Sequence, residues 1–304
     1  MHDQQGHKRF LAERGYEPRT TVWRHDIAAP DFEGTLSAAQ YREPRRLQAC
    51  LSSVSLRFEP WGDSPVEDQL LFGDTFLAYD IDPVTGLAWG QIEHDHHVGF
   101  VSLSGMTYDI SESTHWVSSP LCPVLPRPDR KAEPLFLIPL NARVTVHEIY
   151  HEDPIYAQIG AGMWVFVGDL RKLGDWLQDP LEPLESVVGV SSYVWGACNL
   201  IGLDCSGKTL SRHRAEGRFC YRDADQQEHH HGFGTLVPFD DAYSGFRRFD
   251  QVHFPGHVAT MVNETHAIHA KGEDVRKLVV EPLREIDTWR KRDCAGGISC
   301  VKRF

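Results

Sequence analysis

The chain has 304 residues, 41% of them hydrophobic and 24% charged, a composition ordinary for a soluble globular protein and a length suited to two or three domains with cores of their own. No apolar run is long enough to span a membrane, and the net charge of −12 argues against nucleic acid or anionic membranes as partners, since both call for basic patches. The polar N-terminus MHDQQGHKRFLAERGYEPRT lacks an apolar core segment, so no secretory signal is read. Seven cysteines, an odd number without framework spacing, fit free thiols in a reducing compartment. A cytoplasmic location is expected.

Residues 1–46 form a Pro-, Arg- and Asp-containing lead with one short amphipathic stretch, LSAAQYREPRR, expected to drape over later domains rather than fold alone. From Leu47 the pattern changes to short β-type runs broken by turn signals: CLSSVSLRFEP, QLLFGDTFLAYDI, the turn DPVTG, LAWGQIEH and HVGFVSLSGM. This predicts a small barrel over 47–107. The same grammar returns in PLFLIPLNARVTVHEIYHE, IYAQIG and GMWVFVGDL, predicting a second barrel over 118–172, with a sheet sandwich as the alternative. The Pro-rich, acidic GDWLQDPLEPLES marks a boundary, and a domain over 181–304 follows.

In that last domain a helix is predicted from Cys205, with Asp204 as N-cap, Leu210 facing inward and Gly217 as C-cap. Strands HVATMVN, HAIHAKG, KLVVEPL and ISCVKRF come after it, so the domain class is α+β. A thiol opening a helix sits where the dipole and free N–H groups favour a thiolate and can hold an oxyanion. The alternative for a lone cysteine is a buried structural thiol.

A cysteine nucleophile needs a base, and the base needs an orienting group. With the turn between HVATMV and HAIHAK centred on Glu264, His257 opposes Lys271 and His269 becomes its diagonal neighbour on one face, within reach of a ring-to-ring hydrogen bond. Parity sends His266 to the other face, which argues against three histidines converging on zinc. Cys205 as nucleophile, His257 as base and His269 as orienting group make a Cys-His-His triad. The clusters HDHH at 94–97 and HHH at 229–231 read as solvated loops, and no metal or other cofactor is expected.

The succession SSYVWGACN (191–199), LDCSGKTL (203–210), YRDADQQ (221–227), FPGHVATMVNETHAIHA (254–270) and VVEPL (279–283) resembles the NlpC/P60 cysteine peptidases, papain-like hydrolases of peptidoglycan peptides. The region before it resembles the paired bacterial SH3-type barrels of some cell-wall hydrolases. The resemblance implies the same roles for Cys205, His257 and His269, and places Tyr193 beside the nucleophile, where it would help an oxyanion hole. It implies that Asp204 and Ser206 help hold the free amino end of a peptide beginning with L-Ala. Arg222, Asp223 and Gln226 are read as makers of structural hydrogen bonds, and Asp250 as a turn or cap residue. Lys208 in place of an apolar residue, Ala197 in WGA, and QVHFP at 251–255 depart from the family's pattern, and His253 beside the site is expected to alter its response to pH.

The whole chain is thus expected to be a papain-like peptidase behind two SH3-type barrels, cutting the γ-D-glutamyl bond to a diamino acid in muropeptides during wall recycling. An amidase or acyltransferase using the same residues, and a non-catalytic wall-peptide-binding protein, are the rival readings.

Overall fold

The computed structural model describes residues 4–60, 62–240, 242–293 and 296–304. The chain divides into two compact units, Met1–Thr114 with Ala142–Thr145, and His115–Asn141 with Val146–Phe304. Among the described residues no helix is long and apolar enough to cross a membrane.

The first unit is built on a seven-stranded antiparallel sheet. Its spatial order is Val66–Leu71, Ser53–Arg57, Val98–Ser102, Leu87–Ile92, Thr75–Asp82, Arg45–Ala49 and Met106–Thr107. Alternation puts Leu47, Leu56, Leu70, Phe76, Ala88 and Val101 into one buried cluster, and the register pairs Leu47 with Phe76 and Leu56 with Val101. The DPVTG turn closes its hairpin because Asp82 Oδ1 accepts from the N–H groups of Val84 and Thr85 and Gly86 takes φ +71°.

The lead carries a helix that the sequence reading did not name. Its helix is Gln4–Ala12, whereas LSAAQYREPRR is extended and runs into the first strand. Pro44 explains this, since it disfavours helical backbone at the residue before it and supplies no N–H. Leu11, Trp23, Ala28 and Leu36 form one buried cluster, and Val22, Ile27 and Ala29 pack with Trp89 and Val98 of the sheet.

In the second unit, residues 115–141 and 146–172 carry three small antiparallel groups. They are the pair His115–Val117 with Leu170–Lys172, the pair Leu121–Val124 with Phe136–Pro139, and a meander of Glu148–Tyr150, Tyr156–Gly160 and Met163–Phe166. Trp116 and Leu140 enter the same core cluster as Leu181, Leu203, Ile268 and Leu278, so this segment shares a core with the part that follows it.

That part is a nine-stranded sheet with Lys277–Pro282, His266–Lys271, His257–Met261 and Gln251–Phe254 at its centre. The helix Cys205–Ala215 packs against two of these strands, His257–Met261 and His266–Lys271. Ala259, Met261 and Ala267, on the sheet's other face, pack with Leu283 and Ile286 of the helix Leu283–Asp293. The sequence reading lacked that second helix, although Leu283, Ile286 and Arg290 recur at helical spacing and are buried. It also lacked the strand Gln251–Phe254.

Trp23 is fully buried and its indole N–H donates to the Ser37 carbonyl at 3.1 Å. Trp23→Ala should therefore destabilise the first unit by about 3–5 kcal/mol in urea unfolding. A loss below about 1 kcal/mol would mean that the Trp23 cluster contributes little to the first unit.

Candidate active site

The site is built from the start of the Cys205–Ala215 helix. Asp204 is extended, and its Oδ1 accepts from Gly207 N–H at 2.7 Å, the side-chain cap that the sequence signals. The same carboxylate takes Gly196 N–H at 2.8 Å and two guanidinium bonds from Arg222, at 2.6 and 3.1 Å. Ser206 Oγ donates to Asp204 at 3.3 Å and accepts from Arg222 at 2.8 Å. At the far end Gly217 takes φ +72°, ending the helix where expected, and a side chain there would collide with Trp176.

Cys205 is the first residue of the helix, so its backbone N–H has no acceptor within the helix. Its thiol is buried against the strand His257–Met261, where the N–H of Val258 acts on the sulfur. Burial and then the Asp204 carboxylate push the thiol up to about 11, while Val258 N–H, Arg222 and Lys208 favour the thiolate.

The histidine hairpin has the register that parity predicts. Thr260 pairs with Ile268 and Met261 with Ala267, and the same phase sets His257 opposite Lys271. His257 Nε2 lies 2.9 Å from His269 Nδ1, with the rings edge-on at 5.1 Å. His266 is on the other face, with Nδ1 2.9 Å from the Thr265 hydroxyl.

Sequence reasoning missed two residues here. Glu281 Oε2 lies 3.2 Å from His269 Nε2, and Lys271 Nζ donates to Glu281 Oε1 at 3.1 Å. The signal was present: His269 pairs with Val279, so Glu281 is its diagonal neighbour on one face. Trp289 covers both rings, 6.2 Å from His257 and stacked on His269 at 6.3 Å.

These bonds fix the tautomers. His269 and Lys271 hold Glu281 down at about 2, so it is an ionised, accepting carboxylate. Burial pulls both histidines below their usual range, which keeps them neutral near pH 7. His269 must then donate from Nε2 and accept at Nδ1, so His257 donates from Nε2 and keeps a bare lone pair on Nδ1. The result is a His257 ring whose tautomer is set from behind.

Tyr193 is half-buried with its ring against Gly272, where a side chain would intrude to 3.0 Å. Burial raises its hydroxyl, and the charges of Cys205 and Asp204 raise it further, so it stays a donor near the thiol. Asp204 and Ser206 belong to one hydrogen-bond network with Arg222. Five donors already meet the Asp204 carboxylate, which exhausts its lone pairs, and Ser206 is turned into the same network. Both hold the helix start. Arg222 and Gln226 make structural bonds, Gln226 with Asp223 in a capping box. Asp250 accepts from Arg247 N–H and from Arg303.

His229, His230 and His231 are exposed, but HDHH is not a solvated loop: Asp95 and His97 are 1% and 2% exposed. The Asp95 carboxylate caps His97 N–H at 2.9 Å, which draws the segment into the first unit. Among the described residues Asp68, His94 and Asp95 offer ligand atoms within 4.8 Å of one another, a group of the first unit that includes none of the residues around Cys205. None of the six described cysteines forms a disulfide, and Cys294 lies outside the described residues.

The Glu281 carboxylate gives a test. Its acidity is increased by folding, from the usual 4.5 to about 2, so the stability it confers is present above about pH 4.5 and is lost as pH falls toward about 2. Glu281→Gln should lower the unfolding temperature at pH 7, and the gap to wild type should close as pH falls from about 4.5 toward about 2. A gap independent of pH would mean that the carboxylate is not ionised against His269 and Lys271.

Residues 56–106 match the bacterial dipeptidyl-peptidase SH3 domain family. No curated protein matches the chain in sequence. A crystal structure of an NlpC/P60 family protein from Bacillus cereus superposes with a TM-score of 0.68 at 17% identity, covering 85% of this chain and 99% of that one. An NlpC/P60 endopeptidase from Photobacterium damselae subsp. piscicida superposes at 0.51 with 10% identity, covering 84% and 70%. The chain therefore combines an SH3-type domain with a mixed α/β architecture similar to that of NlpC/P60 proteins.

Proposed function

We propose that this protein is a cysteine peptidase acting on cell-wall peptides, hydrolysing the γ-D-glutamyl bond to a diamino acid in muropeptides with a free N-terminal L-Ala. The observation that carries the reading is the ordered His257–His269–Glu281 chain on strands next to the helix that begins with Cys205. A structural cysteine would need no such chain on a neighbouring strand. The similarity in fold to NlpC/P60 proteins supports the substrate class. We further read residues 118–172, with their three antiparallel groups, as a second SH3-type module.

In this mechanism Cys205 Sγ attacks the γ-carbonyl carbon of D-Glu as its proton passes to His257 Nδ1. The Cys205 N–H and the Tyr193 hydroxyl donate to the oxyanion, each good donor contributing about 3 kcal/mol. Collapse breaks the C–N bond, and His257 returns the proton to the leaving amine. Water then hydrolyses the thioester with His257 as base, releasing L-Ala-D-Glu and restoring the thiol. Both resting groups are uncharged, because burial disfavours thiolate and imidazolium alike. The proton therefore moves in step with the attack.

The engagement of Asp204 and Ser206 favours one second reading, an amidase or acyltransferase whose substrate needs no free amine. Turnover of free and N-acetylated L-Ala-γ-D-Glu-diaminopimelate separates the two. Under the peptidase reading acetylation lowers kcat/KM at least about tenfold, or ~1.4 kcal/mol. Cys205→Ala and His257→Ala should both abolish release of L-Ala-D-Glu, whereas His269→Gln, whose amide oxygen can still accept from His257, should keep a measurable fraction. Activity in Cys205→Ala would end the proposal, and equal cleavage of both substrates would favour the second reading.

A further inference from the structure

The buried face of the Cys205–Ala215 helix carries a cation that the triad does not use. Lys208 is fully buried and stands three residues after Cys205, so their Cβ atoms rise from neighbouring turns about 5–6 Å apart. Its Nζ donates to Thr260 Oγ1 at 2.5 Å. Thr260 is two residues beyond Val258 on the same strand face, and Val258 N–H is the group that acts on the Cys205 sulfur. Helix and strand thus bring the ammonium toward the thiol from two directions.

Among the described residues Lys208 has no carboxylate partner. Arg212 acts on it from its own helix and Cys220 from the loop that follows. Lys208 in turn disfavours charge on His253 of the strand Gln251–Phe254 and on His257 and His269 of the hairpin. Asp204 is taken up by Arg222. The acids that favour the charged lysine are thiols, Cys205 and Cys220, and burial pulls Lys208 down to about 7.

We propose that Lys208 is a positioning residue for charge at Cys205, its Thr260-anchored ammonium stabilising the thiolate from the helix side while His257 receives the proton from the strand side. The inference deepens the reading of Cys205 as nucleophile and rests on it for its catalytic meaning. The coupling itself is a property of the thiol and needs no substrate to be seen. Its sign follows from linkage: a lysine lowered to about 7 is charged below that pH, and above it keeps its proton only as the thiolate forms beside it.

The experiment is the pH dependence of Cys205 alkylation by iodoacetamide, followed by mass spectrometry of the Cys205 peptide in wild type, Lys208→Met and Thr260→Val. Met fills the lysine stem's volume without the charge, and replacing a buried charge by an apolar group is tolerated. We expect Lys208→Met to move the profile upward by about one pH unit, a roughly tenfold slower reaction below the midpoint, and Thr260→Val to move it less in the same direction. Superimposable profiles in all three proteins overturn the inference. If Lys208→Met does not fold, an unmoved profile in Thr260→Val is sufficient to reject it. A shifted profile in a protein that cleaves no wall peptide would keep the coupling and remove the peptidase reading.

Discussion

The Asp204 carboxylate is the joint on which the second unit's chemistry depends. It satisfies Gly207 N–H at a helix start whose dipole favours a negative charge, and it is neutralised by Arg222. Through Gly196 it fixes the segment carrying Tyr193, and through Arg222 the RDADQQ segment. Gly207 belongs to the same joint, since a side chain there would stand 2.1 Å from the Ala197 carbonyl oxygen. Three stretches that look like separate motifs are thus one object, and their order in sequence reflects the three sides from which the helix start must be held. A buried pair of this kind adds little net stability over an apolar substitute, but removing one partner leaves a costly lone charge. Its contribution is therefore geometric.

The histidines depend on a second constraint of the same sort. A neutral imidazole has two tautomers, and only the one protonated at Nε2 leaves His257 Nδ1 able to accept a proton. His269 alone cannot choose between them, because its own tautomer is equally open. Glu281 makes the choice by being unable to donate, and Lys271 keeps it ionised. The charge is placed two hydrogen bonds away from His257, so it sets the tautomer without holding His257 as an imidazolium. Trp289 keeps this chain out of water.

How much of this was legible in sequence follows from the length scale of each cause. The cap at Asp204, the C-terminal Gly217 and the hairpin phase are local, set by residues a few positions apart, and they were readable. The His257–His269 pair needed only strand parity. Glu281 needed one more hairpin, and the same parity would have found it. The Asp204–Arg222 pair spans a loop with no period, so nothing local in the sequence announced it. HDHH looked solvated because four polar residues in a row carry no periodic signal, whereas the Asp95 cap on His97 draws them inside. The helix Gln4–Ala12 was hidden by its charged surface.

The helix Cys205–Ala215 contradicts the usual rule most sharply, because its buried residues include Lys208, Arg212 and His213. Each polar group must then find a partner, and most do: His213 Nε2 lies 2.7 Å from Gln251 Nε2, its Nδ1 lies 2.7 Å from Glu216, and Lys208 reaches Thr260. His253 has no hydrogen-bond partner among the described residues for either ring nitrogen, and burial with the nearby Lys302 and Lys208 pushes it down to about 3, so it stays neutral. An apolar helix face would avoid all of these demands. What it would not supply is positive potential behind a thiol that burial and Asp204 both push toward the neutral form. Lys208 answers that need at the site where the periodicity of a core helix fails, and failures of local pattern are expected where electrostatics rather than packing selects the side chain.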